Sequence, residues 1–398
     1  MSNPVRSRLA LATASLLGAG MAQAGDGSWQ IDSSVLYYGE QDRVTAVEPV
    51  VNARKDLGDE ESLNVKLVVD SLTGASHNGA PVRPYAQTFS GPSGSSEYTV
   101  PAGEVPLDDS FHDTRGNVSL SWDKPLENRL WKRSLGFNVS SEYDFFSLGV
   151  NGALTRDFNK RNTSLTVGLG YEADTIKPVG GVPVPLSEMG EDLPAQSADE
   201  SRDVTDLLVG ITQVINRSTV MQFNYNLSTS SGYHNDPYKI VAVDGERDEY
   251  WYESRPDART KHAFYWETKH ALSSGDIIDG SYRFMTDDWG VSSHTVDLRY
   301  RWMLGNDWYV EPHARWYTQS EADFYVESLP APPKPGMDAS ADYRLGALTD
   351  TTFGAKVGKQ LGEGSEVSAR LESFQQSGDS EAADLSAIIF EVGYSFKW

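Results

Sequence analysis

The sequence predicts an all-β fold: a transmembrane antiparallel β-barrel of about sixteen strands, with long extracellular loops and tight periplasmic turns. Three observations carry this. The C-terminal residues alternate apolar and polar with a period of two. Sixteen such segments recur along the chain, each of a length that crosses a bilayer when tilted. The connections between them sort by parity, long after odd segments and tight after even ones.

The C-terminal strand is the plainest. Read back from the end, Trp398, Phe396, Tyr394, Val392, Phe390 and Ile388 share one face. Lys397, Ser395, Gly393 and Glu391 share the other, with Ile389 and Ala387 further back. That is a strand with one apolar and one polar side. Its aromatic end, Tyr394, Phe396 and Trp398, resembles the signal by which barrel assembly machinery recognises outer-membrane proteins.

Residues 1–24 read as a removable signal peptide, leaving 25–398 as a single barrel domain. Arg6 and Arg8 precede an uncharged stretch from Leu9 to Ala22, and Ala22-Gln23-Ala24 has the small-x-small form of a cleavage site. The uncharged stretch is too short, and too interrupted by Ser15, Gly18 and Gly20, to span a membrane. With the two leader arginines removed from 34 basic residues against 57 acidic ones, the mature chain carries about −25. That charge excludes nucleic acid as a partner. The chain has no cysteine, so disulfides and thiolate metal sites are excluded too. An apolar fraction of 39% suits a barrel, because only alternate strand residues meet lipid.

In order, the predicted strands fall at 28–39, 43–55, 60–72, 112–123, 133–143, 146–158, 161–173, 203–216, 218–230, 260–272, 276–286, 291–304, 307–319, 344–360, 365–375 and 385–398. In the seventh, Thr163, Leu165, Val167, Leu169 and Tyr171 alternate with Asn162, Ser164, Thr166, Gly168 and Gly170. The ninth alternates Met221, Phe223, Tyr225 and Leu227 with Gln222, Asn224, Asn226 and Ser228. In the twelfth, Val296, Leu298, Tyr300, Trp302 and Leu304 alternate with Asp297, Arg299 and Arg301. The second and eighth show the weakest alternation.

The long irregular stretches, 73–111, 174–202, 231–259, 320–343 and 376–384, follow the third, seventh, ninth, thirteenth and fifteenth segments. Tight turns such as Asn159–Asn162, Asn216-Arg217, Ser273–Asp276, Gly305–Asp307 and Gly362–Gly364 follow even ones. A miscounted or soluble sheet would not sort its connections this way. With both termini periplasmic, the long loops face outward. They are rich in Gly, Pro, Ser and Asp, which disfavours regular structure. None is long enough to hold a core of its own.

Asp70–Ala80, Ser141–Ser147, Tyr252–Arg259, Tyr282–Trp289 and Ser340–Leu345 together resemble a family of bacterial outer-membrane barrels of unknown function. The resemblance implies the barrel fold and the outer membrane, and supplies no catalytic residue. It also implies proximity to periplasmic flavin-attaching enzymes, hence a redox or metal context.

Candidate site residues lie on the polar faces. Arg283, Arg299, Arg301 and Arg315 fall on three successive strands, with Glu267, Lys269, Asp279, Asp297, Glu311 and His313 on the same lumenal side. Such a set forms either a charged constriction that selects solutes or a salt-bridge lattice bracing the wall. Loop 73–111, poor in charge before Asp108-Asp109, is the candidate for folding into the lumen. The acidic runs at Asp108-Asp109, Glu188–Asp192, Asp199-Glu200 and Asp244–Glu249 have no calcium-loop spacing and read as solvated surface. The seven histidines form no metal-binding pattern. His262 and His270 share a strand face but stand about 26 Å apart, and His77 and His112 merely flank one loop. An enzyme would need a nucleophile, base and orienter together, and Ser292, His294 and Asp287 near one rim are a weak set.

The expected function is therefore a porin-like channel passing small solutes across the outer membrane of a Gram-negative bacterium. It is expected to be no enzyme and to use no cofactor or metal. Its partners are outer-membrane lipid, the barrel assembly machinery and a small solute. The alternative is a structural or interaction barrel, a sleeve or receptor for a periplasmic or surface partner in a redox or metal-related system.

Overall fold

The computed structural model describes residues 27–41, 43–90, 97–189, 195–246, 249–362 and 364–398, so the expected leader at 1–24 lies outside the described residues, as do Gly190 to Asp192 of one acidic run. In chain order the strands are β1 (Trp29–Glu40), β2 (Thr45–Gly58), β3 (Glu61–His77), β4 (Gln87–Ser90), β5 (Glu97–Val100), β6 (Leu107–Pro125) and β7 (Trp131–Ser141). There follow β8 (Phe145–Phe158), β9 (Thr163–Ile176), β10 (Glu200–Asn216), β11 (Thr219–Gly232), β12 (Ile240–Val243), β13 (Tyr250–Tyr252) and β14 (Ala258–Ala271). The last are β15 (Ile277–Asp287), β16 (Ser292–Gly305), β17 (Trp308–Gln319), β18 (Ser328–Leu329), β19 (Leu348–Gly362), β20 (Ser365–Gly378) and β21 (Leu385–Lys397).

Sixteen of these, all but β4, β5, β12, β13 and β18, close into one barrel. Each of the sixteen predicted segments is a barrel strand, including the two weak ones, β2 and β10. Closure pairs β1 with β21 antiparallel, from Gln30 opposite Lys397 to Glu40 opposite Ala387. Trp29 and Trp398 exchange backbone hydrogen bonds of 2.6 and 2.8 Å at its end. Full closure leaves no unpaired edge.

The wall is inside-out relative to a water-soluble sheet. Leu165, Val167, Leu169 and Tyr171 point outward and exposed, while Thr166 between them is buried. Gln222, Asn224 and Ser228 are likewise buried where Phe223 is exposed. One end of the barrel carries only connections of two to five residues. In two of these, Asp59-Glu60 and Asn306-Asp307, both residues adopt positive φ (52° and 64°, 50° and 66°), the conformation that matches strand twist in a two-residue hairpin. The long connections all emerge at the other end, as parity predicted.

The loops depart from expectation. Four of them, 78–106, 177–199, 233–257 and 320–347, build a folded cap. Within it β4 pairs with β5, and β12 pairs with β13 antiparallel and with β18 in parallel. Met189 N–H donates to Tyr250 O and Tyr252 N–H to Ser187 O, adding loop 177–199 to this small sheet. The cap has its own core. Ala80, Phe89, Val100, Ile240, Ala242 and Tyr250 pack on one side, and Val241, Val243, Leu329, Ala339 and Ala341 on the other. No single loop supplies enough apolar surface, as expected, but β12 alternates its side chains between two layers supplied by neighbours. A third cluster, Trp289, Val291, Ala322, Phe324 and Leu345, seats the cap on the rim.

Candidate functional site

The cap crosses the mouth of the barrel. Loop 233–257 leaves β11, yet Tyr238 Oη donates to Asp144 Oδ2 (2.6 Å) in the connection between β7 and β8. Ile240 N–H donates to Asn78 O (2.9 Å), and Lys239 Nζ donates to the carbonyl of His77, six strands round the barrel from β11. From the opposite direction, loop 320–347 brings Tyr343 edge-on to His77, with ring centroids 6.2 Å apart.

Where the two loops meet, buried charges form a knot. Arg255 Nη2 lies 2.9 Å from Asp342 Oδ2, and its Nε lies 2.6 Å from Glu253 Oε1. Arg344 donates from Nε to Asp342 Oδ1 (2.8 Å) and from Nη2 to Asp236 Oδ2 (3.0 Å). Ser340 Oγ donates to Glu253 Oε2 (2.5 Å). Burial pushes the Asp342 carboxyl up, but Arg344 and Arg255 override it and hold it well below the usual carboxylate range. Glu253 shows the opposite balance: burial outweighs Arg255 and raises it. Burial pushes His234, beside the knot, down to about 4, so its ring is neutral near pH 7.

Beneath the cap lies a cavity of about 2820 Å³, lined from the tight turns (Glu60, Arg161) to the cap (Tyr238, Tyr343, Arg344). Ligand pockets typically enclose about 300–1,000 Å³. The lumen is a chamber, not a pocket. Among the described residues lining it, the chain up to residue 232 contributes seven Lys or Arg and fourteen Asp or Glu. The strands from β14 to β21 contribute eight Lys or Arg and only two Asp or Glu.

Of the predicted site residues, Lys269, Arg283, Arg299, His313 and Arg315 line this cavity. Glu267 and Asp297 lie in the same wall but set back. Lys269 Nζ is 3.3 Å from both Glu267 and Asp279. Asp297 lies 3.4 Å from Arg299 Nε and 3.0 Å from His313 Nε2, whose Nδ1 faces Glu372 at 2.7 Å. Arg301 and Glu311 pair at 2.6 Å with the guanidinium 4.4 Å over the Tyr309 ring. They sit toward the tight-turn end, off the cavity lining. Ion pairs thus lie behind and charged side chains line the cavity in front.

The remaining candidates fall as follows. In loop 73–111, β3 and β6 stay paired to His77 and Leu107; of the described residues beyond them, Ala80, Phe89 and Val100 join the cap core, and Asn78, Phe89 and Tyr98 line the cavity. Ser292, His294 and Asp287 do not meet: His294 Nδ1 lies 2.7 Å from Tyr282 Oη, Asp287 holds Arg259, and Ser292 N–H donates to Ser320 Oγ. His77 is bonded to Ala80 O and Gly79 N, while His112 lies opposite Thr73. Among the described residues no cluster of three metal-ligating side chains occurs.

The knot itself was missed, although Glu253, Arg255, Ser340, Asp342 and Arg344 all fall in stretches that carried the family resemblance, as do His77, Asp144 and Trp289. Those five stretches, scattered over the sequence, converge on the cap. Nothing in their local pattern says so.

A family profile described as "Protein of unknown function (DUF3570)" matches residues 6–391. No curated protein matches the chain. Among solved structures, a bacterial polysaccharide outer membrane secretin is similar at 8% identity and a TM-score of 0.46, over 94% of this chain and 99% of the other. OccK3 (OpdO) of Pseudomonas aeruginosa shares 9% identity at a TM-score of 0.42, over 94% and 96%. The CymD monoaromatic hydrocarbon channel shares 9% at 0.44, over 96% and 90%.

Proposed function

The chain belongs to the DUF3570 family, and from that premise and the geometry above we propose an outer-membrane barrel that passes small polar solutes through a capped lumen. The carrying observation is the chamber of about 2820 Å³ that runs between tight turns and cap, with polar and charged walls. At sixteen strands a barrel is wide enough to keep an aqueous lumen, which a passage for solutes needs.

The exterior supports the membrane setting and an orientation. Its apolar band suits lipid. At the tight-turn end, outward cations lie over aromatic rings: Lys55 over Trp29 (5.3 Å), Arg133 over Trp122 (4.7 Å), Arg156 over Trp131 (5.1 Å) and Lys359 over Trp308 (5.1 Å). Such amphipathic pairs suit a head-group interface. Tight turns in the periplasm and the cap outside is the arrangement usual for barrels of this kind. Residues 1–24 direct export, and Tyr394, Phe396 and Trp398 present the assembly signal. Tags inserted at Gly180 and Pro333 should be reachable on intact cells, and one at Asn159 should not; the reverse would invert the orientation.

Planar-bilayer recording of the purified protein, checked for the heat-dependent gel shift of a folded barrel, tests the function. A small steady conductance is expected, since the cap narrows one mouth. Absence of current from folded protein would favour the second reading, a receptor or structural barrel, for which the buried charge knot of the cap is the supporting observation.

A further inference from the structure

We propose that the inner wall formed by β14 to β17 and β19 to β21 is a binding surface for small multivalent anions, facing a separate acidic wall that attracts cations. The inference rests on reading the lumen as solvent-filled and deepens it by naming the solute charge each wall accepts.

The first observation is the sign of the lining. Eight cations against two carboxylates line this half of the cavity, and seven against fourteen the other. The second is depth. This wall does contain carboxylates, but they are sunk behind the cations they pair with. The Arg299 side chain is 42% exposed and Asp297 17%; Lys269 is 39% exposed and Glu267 8%. Arg259 against Asp287, and Arg370 against Glu372, show the same order. Except where Asp350 and Glu372 reach the lining, and where Glu391 is as exposed as Arg370, a solute therefore meets guanidinium and ammonium donors in front of the carboxylates they pair with. Arginine offers forked donors that match phosphate and carboxylate oxygens. Arg299 and Arg315 start on adjacent strands two residues apart in register, roughly 8 Å between backbones at ordinary strand spacing, so one multivalent anion can reach both.

The third observation is room. Half a circuit away, β7, β8 and β9 present Gly136, Gly149, Gly168 and Gly170 to the lumen. A side chain at Gly149 or Gly170 would meet nothing nearer than about 3.5 Å. The wall opposite the cationic one is thus uncrowded at these two positions. Sixteen strands at about 4.8 Å spacing, tilted about 40°, give a backbone diameter of roughly 30 Å. The Debye length in physiological salt is about 8 Å. Each wall's field is felt close to that wall and is screened from the other, so the walls act separately despite the acidity of the whole chain.

The experiment uses the full-length protein in detergent, with the gel shift as the folding check, and reads equilibrium binding by calorimetry. The probes are pyrophosphate and citrate for the cationic wall and spermidine for the acidic one. The triple variant Arg283→Gln, Arg299→Gln, Arg315→Gln should weaken both anions at least about tenfold, the loss of one charged hydrogen-bonded contact or more, and leave spermidine within about twofold. Glu172→Gln with Asp206→Asn should do the converse. If the triple variant fails to fold, Arg299→Gln and Arg315→Gln singly should each weaken pyrophosphate measurably. Unchanged pyrophosphate affinity in a folded variant, or equal weakening of anions and spermidine, would overturn the proposal. Binding is read without current: a silent bilayer with the expected split would sink the channel reading alone, and a conducting protein without the split would sink the two walls alone.

Discussion

The barrel wall and the cap solve the same problem, satisfying polar groups and burying apolar ones, by opposite routes. In the wall, backbone hydrogen bonds run in ladders to the neighbouring strands, and a side chain's environment follows from whether its position is odd or even. In the cap, four loops distant in sequence share two thin cores, and two of them share one knot of five charges, Asp236, Glu253, Arg255, Asp342 and Arg344. The wall distributes its stability over sixteen ladders. The cap concentrates it in few residues, and so should fail all at once.

Asp342→Ala would break that comparison most severely. The Asp342 side chain is 1% exposed and receives both Arg255 and Arg344. Removing one partner of a buried ion pair typically costs about 3–5 kcal/mol, enough to unfold the cap. Proteolysis should then cleave within 233–257 and 320–347 while the gel shift of the barrel persists. Loss of the shift would show that the wall depends on the cap.

Deleting Trp398 attacks the wall at its seam. It removes the two backbone hydrogen bonds with Trp29, worth about 1 kcal/mol each, and a residue that is 78% exposed on the outside of the barrel. Insertion should fall sharply, read as the fraction of protein showing the heat shift. Unchanged insertion would remove Tyr394, Phe396 and Trp398 as an assembly signal.

Acidification should separate the two regions more gently. His234 is held down to about 4 from an ordinary 6.5. Below pH 6.5 the unfolded loop takes up a proton that the folded cap refuses, so cap stability declines until about pH 4 and then levels. Asp342 and Asp236 are depressed below 3.8; their contribution is present above that pH and lost below it. Glu253, raised by burial, offsets part of this. Fluorescence of Trp251, half-buried in the cap, should report loosening between pH 6.5 and 3 with the barrel ladder unchanged. A cap that tightens on acidification would contradict these directions.

Gly149→Phe and Gly170→Phe have the smallest expected effect on folding, within about 0.5 kcal/mol as for uncrowded surface sites. Both should lower single-channel conductance by occupying the lumen. Unchanged current would mean that solutes do not use the space in front of β8 and β9.

The wall was legible because strand periodicity is local. Residues 163–171 alternate on their own evidence, and their burial in the barrel follows that alternation. Even the weak segments, β2 and β10, were recoverable from the count of loops around them. Arg283, Arg299 and Arg315 were placed in the lumen by the same parity rule. Their depth relative to Glu267 and Asp297 was not, since alternation gives a side chain's face and not how far it projects.

What the sequence determined by itself was the number of strands, the face each residue presents, and the end at which the loops gather. These are properties of neighbours along the chain. Only the tertiary structure decided that Lys239 reaches His77 across the mouth, that Arg255 and Arg344 converge on Asp342, and that one half of the lumen is basic and the other acidic. Each of these depends on closure of the barrel, which sets strands eight places apart in sequence order face to face and lets loops six strands apart touch. No periodicity encodes a contact made around a ring.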